Sequence, residues 1–201
     1  MRKLRKIILG KPKTIYLDMD ETSVDMLSYL CNQYNNKFNK NLKVSDIKTY
    51  NLLQYIGEEG IQLIKEKEFF ANLKPIDKSI ETIEKLIDDG HMVFIISSPM
   101  NEHSVFEKYL WCKQYMPFFD IRNLILVGNK SELLSRIDGE NSVLFDDCPA
   151  YLREFNGIRI VMDREYNKKL VVGDSVNGVN DVDYRVSGWD EFYEIVKSIK
   201  V

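Results

Sequence analysis

Five short apolar runs punctuate the chain, at residues 14–17, 92–96, 124–127, 143–145 and 158–162. Each is too short for a buried helix and lacks the alternation of a half-exposed strand, so each predicts a strand buried on both faces. Between them apolar residues recur at helical spacing. Val24, Leu27, Leu30, Cys31 and Tyr34 form one stripe in a helix predicted from Ser23 to about residue 38. Ile80, Ile83, Leu86 and Ile87 form another over residues 76–89, closed by Gly90. Helices are predicted at 102–115, 131–137 and 150–156, and Phe192, Ile195, Val196 and Ile199 mark a closing one at 189–200. Strands alternating with helical crossovers predict an α/β fold with a three-layer, parallel-sheet, Rossmann-like core.

The stretch from Ser23 to residue 74 carries no strand pattern. After Ser45-Asp46 it reads as uneven helix broken at Gly57 and Gly60. It predicts a small helical cap, residues 26–74, inserted into a core made of residues 1–25 and 75–201. Residues 1–10 predict a tail or a short extra strand, and residues 173–180 an irregular loop or hairpin.

The residues that end the strands carry the chemistry. Asp18-Met19-Asp20 follows the first run, Ser97-Ser98-Pro99 the second, Gly128-Asn129-Lys130 the third and Asp146-Asp147-Cys148-Pro149 the fourth. In a parallel sheet these ends face one crevice, the usual ligand site of open α/β sheets. Carboxylates held so close raise each other's pKa unless a cation or a proton is shared, and hard divalent cations favour such oxygens. Hydroxyls and an ammonium suit phosphate oxygens. A calcium loop starting at Asp18 would need Gly and Glu where Ser23 and Tyr29 stand. Asp residues at strand ends also serve in turns, Ser97 and Ser98 could cap a turn, and a lone loop lysine such as Lys130 is usually solvated.

Composition narrows the field. With 28 basic and 31 acidic residues the net charge is −3, which gives no field for a long nucleic acid. Three scattered cysteines, with no paired spacing, suit a reducing cytoplasm. Two histidines cannot build a His-based zinc site; His91 reads as a loop residue, and His103 as a loop residue that could touch substrate. No apolar stretch is long enough for a signal core or a membrane helix.

Taken together, Asp18-Met19-Asp20-Glu21-Thr22, Ser97-Ser98-Pro99, Lys130 and Asp146-Asp147 resemble the four ordered motifs of the haloacid dehalogenase-like phosphohydrolases, and within them the 5'(3')-deoxyribonucleotidase family. Phe69-Phe70, Asn72-Leu73, Pro75, Glu107-Lys108-Tyr109, Trp111 and Arg185-Val186-Ser187-Gly188-Trp189 extend the resemblance over roughly residues 14–195. It implies a magnesium-dependent phosphomonoesterase acting on nucleoside monophosphates. Asp18 would be the nucleophile and Asp20 the general acid and base, with its backbone carbonyl on the metal. Ser97 and Ser98 would hold the phosphoryl oxygens and Lys130 would neutralise them. Asp146 and Asp147 would complete the metal site; spacing does not choose between them, and the resemblance favours Asp147 as direct ligand. Lys108 would reach the phosphate, or be a solvated helix lysine. Tyr50 and Phe70 would face the base, or pack in the core. Glu21 stands where many relatives carry Gly, implying a stiffer loop, and Asn51 follows Tyr50 where some nucleotidases have a second aromatic. A sugar phosphatase, a carbon–halogen hydrolase and a non-catalytic nucleotide-binding module are the competing readings. The last is disfavoured because Asp18, Asp20, Asp146 and Asp147 are all present. The expected partner is a small phosphomonoester, with neither nucleic acid nor membrane, and there is room for a homodimer.

Overall fold

A computed structural model describes residues 12–173 and 181–199. Strand β1 (Thr14–Asp18) leads through a tight loop to the two-residue strand β2 (Val24–Asp25) and helix α1 (Met26–Phe38). Helix α2 (Leu53–Lys65) follows, kinked at Gly57, whose φ of 60° suits a residue without Cβ. The chain returns through β3 (Lys74–Pro75), antiparallel to β2. Then come α3 (Ser79–Asp88), β4 (Met92–Ser97), α4 (Glu102–Tyr115), β5 (Leu124–Leu126), α5 (Lys130–Arg136), β6 (Ser142–Asp146), α6 (Pro149–Glu154), β7 (Ile158–Met162), β8 (Tyr184–Val186) and α7 (Trp189–Ser198).

The main sheet has six strands in the order β5-β4-β1-β6-β7-β8, all parallel. Strand β1 is therefore flanked on both sides, and the chain leaves it in opposite directions to β4 and β6. Side chains alternate between the faces. Val143 and Phe145 enter one hydrophobic cluster with Trp111, Trp189 and Phe192, while Leu144 enters another with Leu134, Leu152 and Phe155. Both faces are covered, which is why the strands read as continuous apolar runs. Phe145 stacks on Phe192 with ring centres 4.1 Å apart, and Trp189 Nε1 donates to the Thr22 carbonyl at 2.9 Å, tying α7 to the loop after β1.

The expected three-layer α/β core is present. The sequence reading missed β8 and the β2–β3 pair, because two or three residues carry too little pattern to register. Two expected boundaries also move. Ser23 and Val24 precede α1, which Asp25 caps by accepting from Ser28 N at 3.1 Å. Lys130 is the first residue of α5 and not a loop residue. Leu27, Leu30, Ile56, Leu63 and Phe70 of the 26–74 segment join the same hydrophobic cluster as the sheet. The expectations for residues 1–10, for 174–180 and for the end of the last helix at 200 lie outside the described residues.

Candidate active site

The loop after β1 is locked by its own backbone. Ser23 N and Val24 N both donate to the Met19 carbonyl, at 2.8 and 2.9 Å, and Ser23 Oγ donates to the Asp18 carbonyl at 2.7 Å. Met19 is fully buried in the core, while its neighbours Asp18 and Asp20 line a cavity of about 360 Å³. The alternation of an extended chain thus places two carboxylates on the open side and anchors them with the residue between.

Three carboxylates meet there. Oxygens of Asp18, Asp146 and Asp147, all buried, lie within 4.8 Å of one another. Lys130 is buried beside them. Its Nζ donates to Asp18 Oδ1 and lies 2.7 Å from Asp146 Oδ2, a contact outside hydrogen-bond angles, and it sits 4.7 Å from the centre of the Tyr151 ring. Asp146 Oδ1 accepts from Cys148 N at 2.8 Å. Asp147 Oδ2 accepts from Tyr166 Oη at 2.5 Å, and Asp147 Oδ1 lies 3.4 Å from Thr22 Oγ1. Burial, opposed by Lys130 and assisted by the charges of Asp146 and Asp20, pushes Asp18 up to about 7. Burial, with Asp18 and Asp146, also raises Asp147 well above the carboxylate range. Burial disfavours the Lys130 charge, but Asp146 and Asp18 outweigh it and keep the ammonium protonated. With all three carboxylates ionised, one ammonium would leave two negative charges uncompensated in a buried, all-oxygen set. That donor set fits a divalent hard cation such as magnesium.

Asp20 stands apart from this group. Both its oxygens take Lys108 Nζ, at 2.5 and 2.6 Å. Its carboxylate is thus occupied by an ammonium, and the backbone carbonyl is the Asp20 group left for a cation. Lys108 is fully buried, with Nζ 4.3 Å from the centre of the Phe70 ring, which excludes the solvated-lysine alternative. Burial of Lys130 excludes it there too. Ser97, at the end of β4, and Ser98 line the cavity. Burial raises the pKa of the Tyr151 phenol, opposed in part by the nearby Ser98 hydroxyl, which makes no hydrogen bond of normal geometry. Tyr50 lines the cavity at 54% exposure, and Phe70 at 1%. His103 falls in the first turn of α4 and is not among the residues that line the cavity, and His91 Nδ1 accepts from Lys13 N at 3.0 Å.

Several neighbours of these carboxylates escaped the sequence reading. Tyr166, Asn167 and Arg164 lie just beyond β7, which ends at the same sheet edge as the other four predicted strands. That position was the available signal. Glu21 has a φ of 60°, a costly region for a side chain with Cβ, and its buried carboxylate accepts from Leu27 N at 2.6 Å and lies 3.2 Å from Arg164 Nε. Burial, opposed by Arg164, pushes Glu21 up to about 7.

These shifts carry a sign for stability. Asp18 and Glu21 bind their protons more tightly folded than unfolded. Their contribution therefore favours folding below the ordinary carboxylate range and is lost as the pH climbs to about 7. The melting temperature of EDTA-treated protein should fall as the pH is raised from roughly 5 to 8, and magnesium should restore more of it at the upper end. A magnesium-induced shift of the same size at both ends would contradict the assignment of these carboxylates.

A parallel α/β core with this constellation at its carboxyl edge defines a haloacid dehalogenase-like hydrolase. The fold is shared with a haloacid dehalogenase-like hydrolase from Streptococcus pneumoniae, with a TM-score of 0.60 at 12% identity over 92% of this chain and 98% of that one. A second neighbour, a hydrolase of the same type from Bacillus subtilis solved with magnesium bound, gives a TM-score of 0.56 at 14% identity over 94% of this chain and 100% of the other. Residues 12–201 match the family described as "5' nucleotidase, deoxy (Pyrimidine), cytosolic type C protein". The 5'(3')-deoxyribonucleotidase of Clostridium acetobutylicum is 30% identical over 80% of this chain and 86% of its own length. That of Bacillus subtilis is 26% identical over 78% and 88% respectively. The chain belongs to this 5'-nucleotidase family and is a phosphomonoesterase of the nucleotidase type. Among the described residues no helix is long and apolar enough to cross a membrane.

Proposed function

We propose that the protein is a magnesium-dependent, cytoplasmic 5'(3')-deoxyribonucleotidase that hydrolyses nucleoside monophosphates through an aspartyl-phosphate on Asp18. The observation that supports this best is the buried group of Asp18, Asp146 and Asp147 around Lys130. Asp18 and Asp147, with the Asp20 carbonyl, would hold the magnesium ion. Asp146, engaged by Cys148 N and Lys130, would orient the lysine. When bound, the metal supplies positive charge against the carboxylates and the phosphoryl oxygens.

The chain's own groups divide the remaining work. An Asp18 oxygen forms a bond to phosphorus while the phosphorus–oxygen ester bond breaks. Asp20 gives its proton to the departing sugar oxygen, then takes one from the water that cleaves the acyl-phosphate. Lys108 holds both Asp20 oxygens and so fixes where that proton is delivered. Ser97, Ser98 and Lys130 hold the equatorial oxygens, the lysine offsetting charge that spreads there in the transition state. The 26–74 segment forms the opposite wall of the cavity and would act as a helical cap that receives the nucleoside. Asn51, Leu52, Ile61 and Ile64 line that wall beside Tyr50.

Of the two aromatics placed against the base, Tyr50 has the accessible ring. At saturating magnesium, Tyr50→Ala should raise KM for a nucleotide by the worth of one base stack, about 1–3 kcal/mol, and spare a small aryl phosphate. The Phe70 ring is buried against Lys108, so Phe70→Ala should cost about 3–5 kcal/mol of stability and impair both substrates alike. A lower melting temperature for Phe70→Ala but not for Tyr50→Ala is the check. The function itself is tested by phosphate release from dUMP, dTMP, sugar phosphates and an aryl phosphate, with magnesium and with EDTA. Turnover confined to sugar phosphates would overturn the nucleotide reading, and turnover unchanged in EDTA the metal reading.

A further inference from the structure

Four successive residues beyond β7 face both halves of the site. Arg164 Nη2 donates to the Glu21 carbonyl at 2.5 Å, and its Nε lies 3.2 Å from Glu21 Oε2, whose other oxygen holds Leu27 N at the start of α1. Glu165 pairs with Lys48 at 2.5 Å. The Tyr166 ring meets the Tyr50 ring edge-on, with centres 5.8 Å apart, and its hydroxyl donates to Asp147 Oδ2. Asn167 Nδ2 donates to the Asp147 carbonyl at 2.9 Å and to the Met162 carbonyl at 2.8 Å. Three of the four thus reach toward the 26–74 segment or its stem, and two of the four fix Asp147. Tyr166 does both with one side chain.

We propose that the Arg164–Asn167 turn couples the position of the 26–74 segment to metal affinity, with Tyr166 as the positioning residue that aims Asp147 at the ion and senses the segment through Tyr50. This rests on the metal reading of the Asp18, Asp146 and Asp147 group.

The physical case has three parts. Asp147 is 2% exposed and surrounded by like charge, so its rotamer is set by the donors it meets. Tyr166 Oη is the near one; Thr22 Oγ1, at 3.4 Å, is at the limit of hydrogen bonding. A single donor to a single oxygen turns that carboxylate while leaving lone pairs on both oxygens for an ion. Outer donors of this kind typically change metal affinity 10- to 100-fold when removed. The Tyr166 ring cannot move without moving its hydroxyl, and Tyr50 is the partly exposed ring that rests against it. A shift of the 26–74 segment that displaces Tyr50 therefore changes the support of Asp147. By linkage, a bound ion that orders Asp147 also favours the arrangement in which Tyr50 rests on Tyr166.

The test is calorimetric titration of magnesium chloride into the EDTA-stripped full-length protein, with no substrate. Tyr166→Phe keeps the ring and removes only the hydroxyl; the magnesium Kd should rise about 10- to 100-fold with little change in melting temperature. Tyr50→Ala, which leaves the hydroxyl in place, should raise the magnesium Kd about 2- to 10-fold, the worth of one aromatic pair. The double variant should bind as weakly as Tyr166→Phe alone, because both effects pass through the same phenol. An unchanged magnesium Kd in folded Tyr166→Phe, or in Tyr50→Ala, would overturn the coupling while leaving the metal site standing. Absence of magnesium binding in the unaltered protein would instead overturn the metal reading, and this inference with it.

Discussion

Asp18→Asn should fold and lose essentially all turnover, a fall in kcat on the order of 10⁴-fold or more. An amide has the shape of the carboxylate but no anionic oxygen to attack phosphorus. The buried environment makes this substitution mild for the fold: Asp18 is 6% exposed, packed against Asp146 and Asp147, and its charge is disfavoured there. A neutral side chain removes a repulsion while Lys130 keeps its contact with Asp146. The melting temperature of the EDTA-treated variant should therefore equal or exceed that of the unaltered protein near neutral pH. A folded Asp18→Asn protein that retains most of its phosphate release from dUMP would remove Asp18 from the role of nucleophile.

Lys130→Met should strongly destabilise the metal-free fold. The ammonium is 1% exposed and is the cation in contact with Asp18 and Asp146. Removing one partner of a buried ionic cluster typically costs about 3–5 kcal/mol, because the remaining charges stay buried without compensation. Methionine fills most of the volume, so the loss is electrostatic more than steric. Two outcomes should follow together: a melting temperature that rises more with added magnesium than that of the unaltered protein, and a kcat reduced about 10²–10³-fold from loss of charge stabilisation at the phosphoryl oxygens. A melting curve like that of the unaltered protein in EDTA would show that the lysine does not neutralise the cluster.

The two substitutions probe groups that the sequence marks with different clarity. Asp18 follows an apolar run, and a strand buried on both faces has few other ways to read. The same reasoning found the strand ends that carry Ser97, Lys130, Asp146 and Asp147. It works because a parallel sheet sends all its carboxyl ends to one side, so local pattern fixes a long-range placement. Lys130 was legible only through its order among the motifs; taken alone it reads as a solvated lysine, and its burial is a tertiary fact. Lys108 shows the limit from the other side. It lies on α4, a helix that is apolar on more than one face: Phe106 and Leu110 are exposed while Trp111 and Cys112 are buried. Helical spacing there does not say which way a lysine points, and only the packed structure turns Lys108 onto Asp20.

By itself, then, the sequence determined the parallel α/β core and the shared sheet edge along which Asp18, Asp20, Asp146 and Asp147 lie, because strand burial and side-chain alternation are local properties of the chain. The tertiary structure alone decided which ammonium serves which carboxylate: Lys130 between Asp18 and Asp146, Lys108 on Asp20. It also decided that Tyr166 and Arg164 belong to the site, and that Phe70 is buried while Tyr50 is open. Those assignments join residues up to 143 positions apart, such as Arg164 and Glu21. They are set by desolvation and by the packing of helices against the sheet, neither of which any short window of sequence encodes.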